Sequence, residues 1–152
     1  MDTIIKKMNF KDQKTILALN APIEFEENLT LMQKIATIDR KILKAKKYEF
    51  LIAFVKTQKQ LDDITNKIQS FTYDDTLVWF AYPKLSSKKY KSEINRDQGW
   101  QALGDIGYEG VRMVAIDEDW SALRFKKANR IKKLTRSSKL AMSKEGKSRV
   151  SK

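Results

Sequence analysis

Three groups of side chains in this chain have the types and spacing to do chemistry. The first is acidic: Asp117, Glu118 and Asp119 stand side by side within AIDEDWSALRF, residues 115–125. Neighbouring carboxylates can hold a divalent cation through oxygen or act as acid and base. Asp also closes turns by bonding its own backbone, and the turn reading is preferred because oxygen-ligated cations normally draw ligands from several elements. No second acidic cluster accompanies this one, and no metal site is expected. The second group is basic: Lys84, Ser86, Ser87, Lys88 and Lys89 follow Pro83. It suits an anion but is not a phosphate loop, which needs glycines so that backbone amides can surround the phosphate. The third is the C-terminal run of Lys127, Arg130, Lys132, Lys133, Arg136 and Lys139, suited to sequence-blind contact with nucleic-acid phosphates. It carries no aromatic residue, so base stacking is not expected of it.

Other chemistries are excluded by composition. With neither His nor Cys among its 152 residues, the chain cannot build a Ser-His-Asp triad, a thiolate nucleophile, a conventional zinc site or a disulfide. Its net charge is +12, yet residues 127–152 hold ten Lys or Arg against one acid, Glu145, and so carry +9 of it. The remainder is nearly balanced. The basicity belongs to an appendage that fits nucleic acid or an acidic protein, or that only aids solubility. No apolar face accompanies the charge, so a membrane-surface role is not expected. No stretch reaches the roughly 18 apolar residues of a membrane span, and the opening MDTIIKKMNF lacks the apolar core of a signal peptide. A cytoplasmic location follows as the expectation.

The elements that must position these groups are legible in the apolar pattern. Ile4, Ile5 and Met8 predict a short lead-in helix, and Thr15 to Leu19 a buried strand closed by Asn20 and Pro22. Phe25, Leu29 and Met32 define the inner face of a helix from Glu24 to Gln33, with acids at its start. TIDRKI reads as a short strand. YEFLIAFVK reads as a central strand covered on both faces. Thr57 is placed to cap a helix carrying Leu61, Ile64, Ile68 and Phe71 on one side. Thr76 to Tyr82 forms another buried strand. Asn95 or Asp97 should then cap a helix presenting Trp100, Leu103 and Ile106, ending at Gly107. GVRMVAID and WSALRF, joined by a few polar residues, must be antiparallel neighbours. Trp120 is expected to fasten this hairpin against the helix that contains Trp100.

Alternating strands and helices predict an α/β fold: a Rossmann-like, mostly parallel sheet with helices on both faces and a C-terminal antiparallel hairpin. The expected domain is residues 1–126, followed by a disordered basic tail, residues 127–152.

ILALNAP, LVWFAYPK and VAIDEDWSALRF resemble segments of a bacterial family of small proteins of unknown function. In that family Asn-Ala-Pro, Trp-x-x-x-Pro-Lys and Ala-Ile-Asp-x-x-Trp-Ser-x-Leu mark the opening, the middle and the close of the domain. Here these are Asn20 to Pro22, Trp79 to Lys84 and Ala115 to Leu123. The resemblance spans about Met8 to Lys126 and implies a fold without implying an activity. NFKDQ stands where the family has a Gly-rich turn. A more distant likeness is to methyltransferases that use S-adenosylmethionine, carried by the order of YEFLIAFV, LVWFAYP and GYEGVRMVAID. Their first strand leads into a Gly-rich turn that lets the cofactor lie on bare backbone. LNAPIEF, at that place here, has no glycine, so cofactor binding is expected to be lost or rebuilt, and no cofactor is expected.

Open α/β sheets bind ligands beyond the carboxyl ends of their strands. Asn20, Lys84 and Arg96 are therefore the expected lining of any pocket. The functional class expected from the sequence is a non-enzymatic binding protein that contacts nucleic acid through its tail. The alternative is a small molecule or nucleotide held in a degenerate methyltransferase-like pocket at the sheet's carboxyl edge.

Overall fold

A computed structural model describes residues 3–130. Residues 131–152 of the expected tail, with Lys132, Lys133, Arg136 and Lys139, lie outside the described residues. A helix α1 (Thr3–Lys7) precedes β1 (Thr15–Leu19); a 3-10 turn (Ile23–Phe25) leads into α2 (Glu26–Met32), and β2 (Thr37–Asp39) follows. Then come β3 (Tyr48–Phe54), α3 (Gln58–Thr65), α4 (Ile68–Phe71), β4 (Thr72–Pro83), α5 (Gln101–Asp105), β5 (Tyr108–Ala115) and β6 (Trp120–Lys127).

The six strands make one sheet in the order β2-β1-β3-β4-β6-β5. The first four are parallel, and β6 runs antiparallel between β4 and β5. The expected mixed α/β sheet is therefore present, with the hairpin at one edge. All of β3 except Glu49 is buried, because helices cover both of its faces. One face packs Leu51, Ala53 and Val55 against Leu61, Ile64, Ile68 and Phe71 and against Trp100 and Leu103. The other packs Phe50, Ile52 and Phe54 against Ile5 of α1, Met8 just after it, and Leu29 and Met32 of α2. No helix among the described residues is long and apolar enough to cross a membrane.

Several expectations change in detail. The helix predicted from Glu24 begins as a 3-10 turn and is α-helical only from Glu26, although Phe25, Leu29 and Met32 are buried as the spacing requires. Thr57 does cap α3, in a capping box with Gln60, but the helix breaks after Thr65 and resumes as a single turn at Ile68. The helix predicted from Asn95 starts only at Gln101. The Asn95 side chain accepts from the Asp97 amide at 2.8 Å, Asn95 and Gln98 pair through their backbones, and Gly99 takes φ +108°. A local turn thus replaces the first helical turn. The last strand continues to Lys127, and Ala128 is 1% exposed with its amide bonded to the Gly107 carbonyl at 2.8 Å.

The setting of Trp120 corrects the sequence reading. It does not meet Trp100, because the sheet lies between them. Trp100 packs on Phe80, Tyr82 and Phe125, whereas Trp120 packs on Phe54 and Tyr90 across the other face. A period of two places alternate residues on opposite faces, but the spacing alone does not say which helix covers which face.

Candidate functional site

The chain leaves β1 towards β2 on one side and later enters β3 on the other, so the sheet's topological switch point lies between β1 and β3. In open α/β sheets a ligand crevice forms there, beyond the carboxyl ends. A cleft of about 200 Å³ does lie at this place, lined by Asn20, Pro22, Phe54, Lys56, Gln60, Tyr90 and Trp120.

Its floor is tied shut from within. Asn20 adopts φ 58°, and its side-chain amide donates to the Phe54 carbonyl at 3.2 Å. That bond joins the ends of the two strands that diverge at the switch point. Pro22 has no amide hydrogen to offer a ligand. The following turn and helix bring Glu24, Glu26 and Glu27 to the chain's entry into α2, so the helix dipole is already complemented by the protein's own carboxylates and is not left for a ligand's anion.

Glu24 is the clasp of the cleft. It accepts from Trp120 Nε1 at 3.0 Å and from Lys89 Nζ at 3.5 Å, and Tyr90 also donates to it. Burial pushes its pKa up, but the bonds from Tyr90, from its own backbone amide and from Trp120, with the charge of Lys89, outweigh burial and lower it from 4.5 to about 2. Tyr90 is held from its backbone as well, donating to Ser87 Oγ at 3.0 Å, while Ser87 donates to Asp119 at 2.7 Å.

Lys56 supplies the charge at the mouth. Its ammonium stands 4.5 Å from the centre of the Tyr90 ring, a cation–π contact, and it makes no ion pair among the described residues. The amide oxygen of Gln60 accepts from the backbone of Lys56 at 2.8 Å and of Thr57 at 3.3 Å, so α3 and the end of β3 present these two side chains together.

Of the three residues expected to line one pocket, only Asn20 does so. Lys84 is used through its backbone, donating to the Asp119 carbonyl at 2.8 Å. Arg96 lies on the exposed turn before α5, 3.3 Å from Asp97, and its charge acts on Tyr82 of the opposite core. Lys127 ends β6 with its ammonium 5.1 Å from the Tyr108 ring. The acids of 117–119 have the geometry of a hairpin end: Asp117 accepts from the amides of Asp119 and Trp120, each at 2.8 Å. No grouping of acids fit for a metal occurs among the described residues. Lys56 and Tyr90 were missed from sequence. Their signals were a lysine directly after the strongest strand and a lone aromatic inside a lysine-rich loop.

Solved structures share this fold. A DhpI–SAH complex superposes with a TM-score of 0.55 at 6% identity, covering 82% of this chain and 82% of that one. The N-methyltransferase NodS from Bradyrhizobium japonicum WM9 gives 0.51 at 8% identity, covering 82% and 89%. The ribosomal protein L11 methylase from Lactobacillus delbrueckii subsp. bulgaricus gives 0.50 at 15%, covering 81% and 74%. The fold is methyltransferase-like. At such identities the likeness is one of fold alone. No protein-family model matches the chain, and no curated protein matches it in sequence.

Proposed function

We propose that this methyltransferase-like domain is a non-catalytic binding module that holds a compact anion at the switch-point cleft, on Lys56 and against the Tyr90 and Trp120 rings. The observation that carries this reading is the Lys56 ammonium over Tyr90 at the mouth of the cleft, without an ion pair among the described residues. The ligand class is a phosphate- or carboxylate-bearing small molecule; a nucleotide would enter by its phosphate with its base outside the cleft, since the Tyr90 and Trp120 rings already pack on each other with centroids 5.1 Å apart. At about 200 Å³ the cleft falls below the roughly 300–1,000 Å³ usual for whole ligands, and the Asn20 bridge with the Glu24 clasp keeps it from widening along β1. An S-adenosyl compound is therefore expected not to bind.

Titration calorimetry with AMP, orthophosphate and S-adenosylhomocysteine tests this. AMP or phosphate should bind, and Lys56→Gln should weaken that binding about tenfold or more. A ligand at 100 times its dissociation constant should stabilise the fold by about 2.7 kcal/mol. Binding of S-adenosylhomocysteine, or silence towards the other two, would sink the proposal.

A second reading is favoured by the charge that begins at Lys127. Ten Lys or Arg with one acid over residues 127–152 suit sequence-blind contact with nucleic-acid phosphates. Replacing Lys132, Lys133, Arg136 and Lys139 by Gln in the full chain should weaken binding to labelled RNA or DNA and lower its salt dependence. Equal binding by wild type and variant would dismiss the segment as the contact.

A further inference from the structure

β5 and β6 place two arginines directly opposite one another. Arg112 pairs in register with Arg124, and the ladder is irregular just before this pair, where one extra residue, Val111, is inserted between Gly110 and Arg112. The consequence is a matter of faces. Val114 and Ala122, the in-register pair two places on, belong to the core beneath α1 and α2, so Arg112 and Arg124 point to that same side. Lys126, two residues beyond Arg124, shares it. Such bulges re-aim side chains at sheet edges and beside sites, and this one brings a like-charged pair together.

Like charges directly opposite in a ladder are destabilising. Nothing among the described residues offsets the repulsion: neither arginine makes an ion pair, and Arg124 Nε is buried without a hydrogen-bond partner. Burial first, and then the charge of Arg112, push the pKa of Arg124 down. The next acid along this face, Glu109 opposite Lys126, is buried and is itself engaged. Two arginines in register, one exposed and one half-buried, carry guanidinium N–H groups whose planar geometry matches the oxygens of a phosphate.

We infer that Arg112 and Arg124, with Lys126 beside them, are a phosphate-contacting site for a nucleic-acid backbone on the folded domain. The choice of a polyanion over a free ion rests on continuity. The strand that carries Arg124 and Lys126 ends at Lys127, and residues 127–152 hold +9 in sequence, so one polyanion is the ligand that both sets of cations suit. This inference deepens the nucleic-acid reading and is independent of the cleft, since Trp120 stands four residues, about 13 Å, away along β6.

The test uses the full chain, a labelled RNA single strand and a labelled DNA duplex, by fluorescence anisotropy at about 50 and 200 mM salt. Arg112→Gln, on the exposed partner, should weaken binding several-fold and reduce the log–log salt slope by about 0.9 on duplex or 0.7 on single strand. Arg112→Lys should restore part of the slope. A second readout does not depend on binding: orthophosphate should raise the melting temperature of wild type more than that of Arg112→Gln. If Arg112→Gln binds as wild type while the variant with Gln at 132, 133, 136 and 139 does not, this site is refuted and the nucleic-acid reading stands. If wild type binds neither polymer at low salt, both fail. Orthophosphate stabilisation that is lost in Arg112→Gln, with no polymer binding by wild type, would assign the pair to a free anion and overturn the proposal as stated.

Discussion

Glu24 joins three segments that are remote in sequence: the turn after β1, the loop after β4 and the start of β6. Its carboxylate is held at a pKa of about 2 against an ordinary 4.5. A depressed folded value stabilises the protein fully above the ordinary value, and that contribution is lost as pH falls from 4.5 towards 2. Glu24→Gln should therefore lower the urea midpoint at neutral pH and flatten part of its fall across that window. An unchanged acid profile would show that Glu24 is not the clasp. Asn20 makes a sharper comparison, because its φ of 58° admits glycine freely and alanine at a cost of about 1–2 kcal/mol. Asn20→Ala should be less stable than Asn20→Gly, although both lose the bond to Phe54. Equal denaturation midpoints would contradict the left-handed backbone. The sequence marked Asn20 because it ends a strand at the edge where ligands bind; its role as a bridge depends on Phe54, 34 residues away.

The elements were legible where the signal is periodic and failed where short-range hydrogen bonds compete. Leu61, Ile64, Ile68 and Phe71 share one core as their spacing requires, yet two short helices carry them. Asn95 looked like a helix cap and instead closes a turn on Asp97, which the same side-chain chemistry permits. The cap at Thr57 is real, and Thr57→Ala should cost about 1 kcal/mol in chemical denaturation, since the Gln60 amide loses the hydroxyl that accepts from it. At the hairpin, Asp117→Ala removes the acceptor of two backbone amides. A loss of about 1–3 kcal/mol is expected, with no loss of any metal-dependent property. If Asp117→Ala were as stable as wild type, the turn reading of these acids would fail.

For the whole molecule, the decisive feature is which face each aromatic residue occupies. A ligand entering the cleft meets Trp120, whereas Trp100 is in the opposite core and Trp79 is bound to the Met8 carbonyl at 3.0 Å. Ligand-induced change in tryptophan fluorescence should accordingly survive Trp100→Phe and be largely lost in Trp120→Phe; the reverse pattern would relocate the site. The sequence by itself determined the α/β class, the buried strands, the antiparallel hairpin and the absence of histidine and cysteine chemistry, because strand burial and turn chemistry are written in local spacing and composition. It also contained the missing glycine after β1. Only the tertiary structure decided that Lys56, Tyr90 and Trp120 meet, that Lys84 and Arg96 stay apart from Asn20, and that Arg112 faces Arg124. Those placements follow from strand order, from one inserted residue in a ladder and from contacts that reach 96 residues along the chain, and local patterning does not specify any of them.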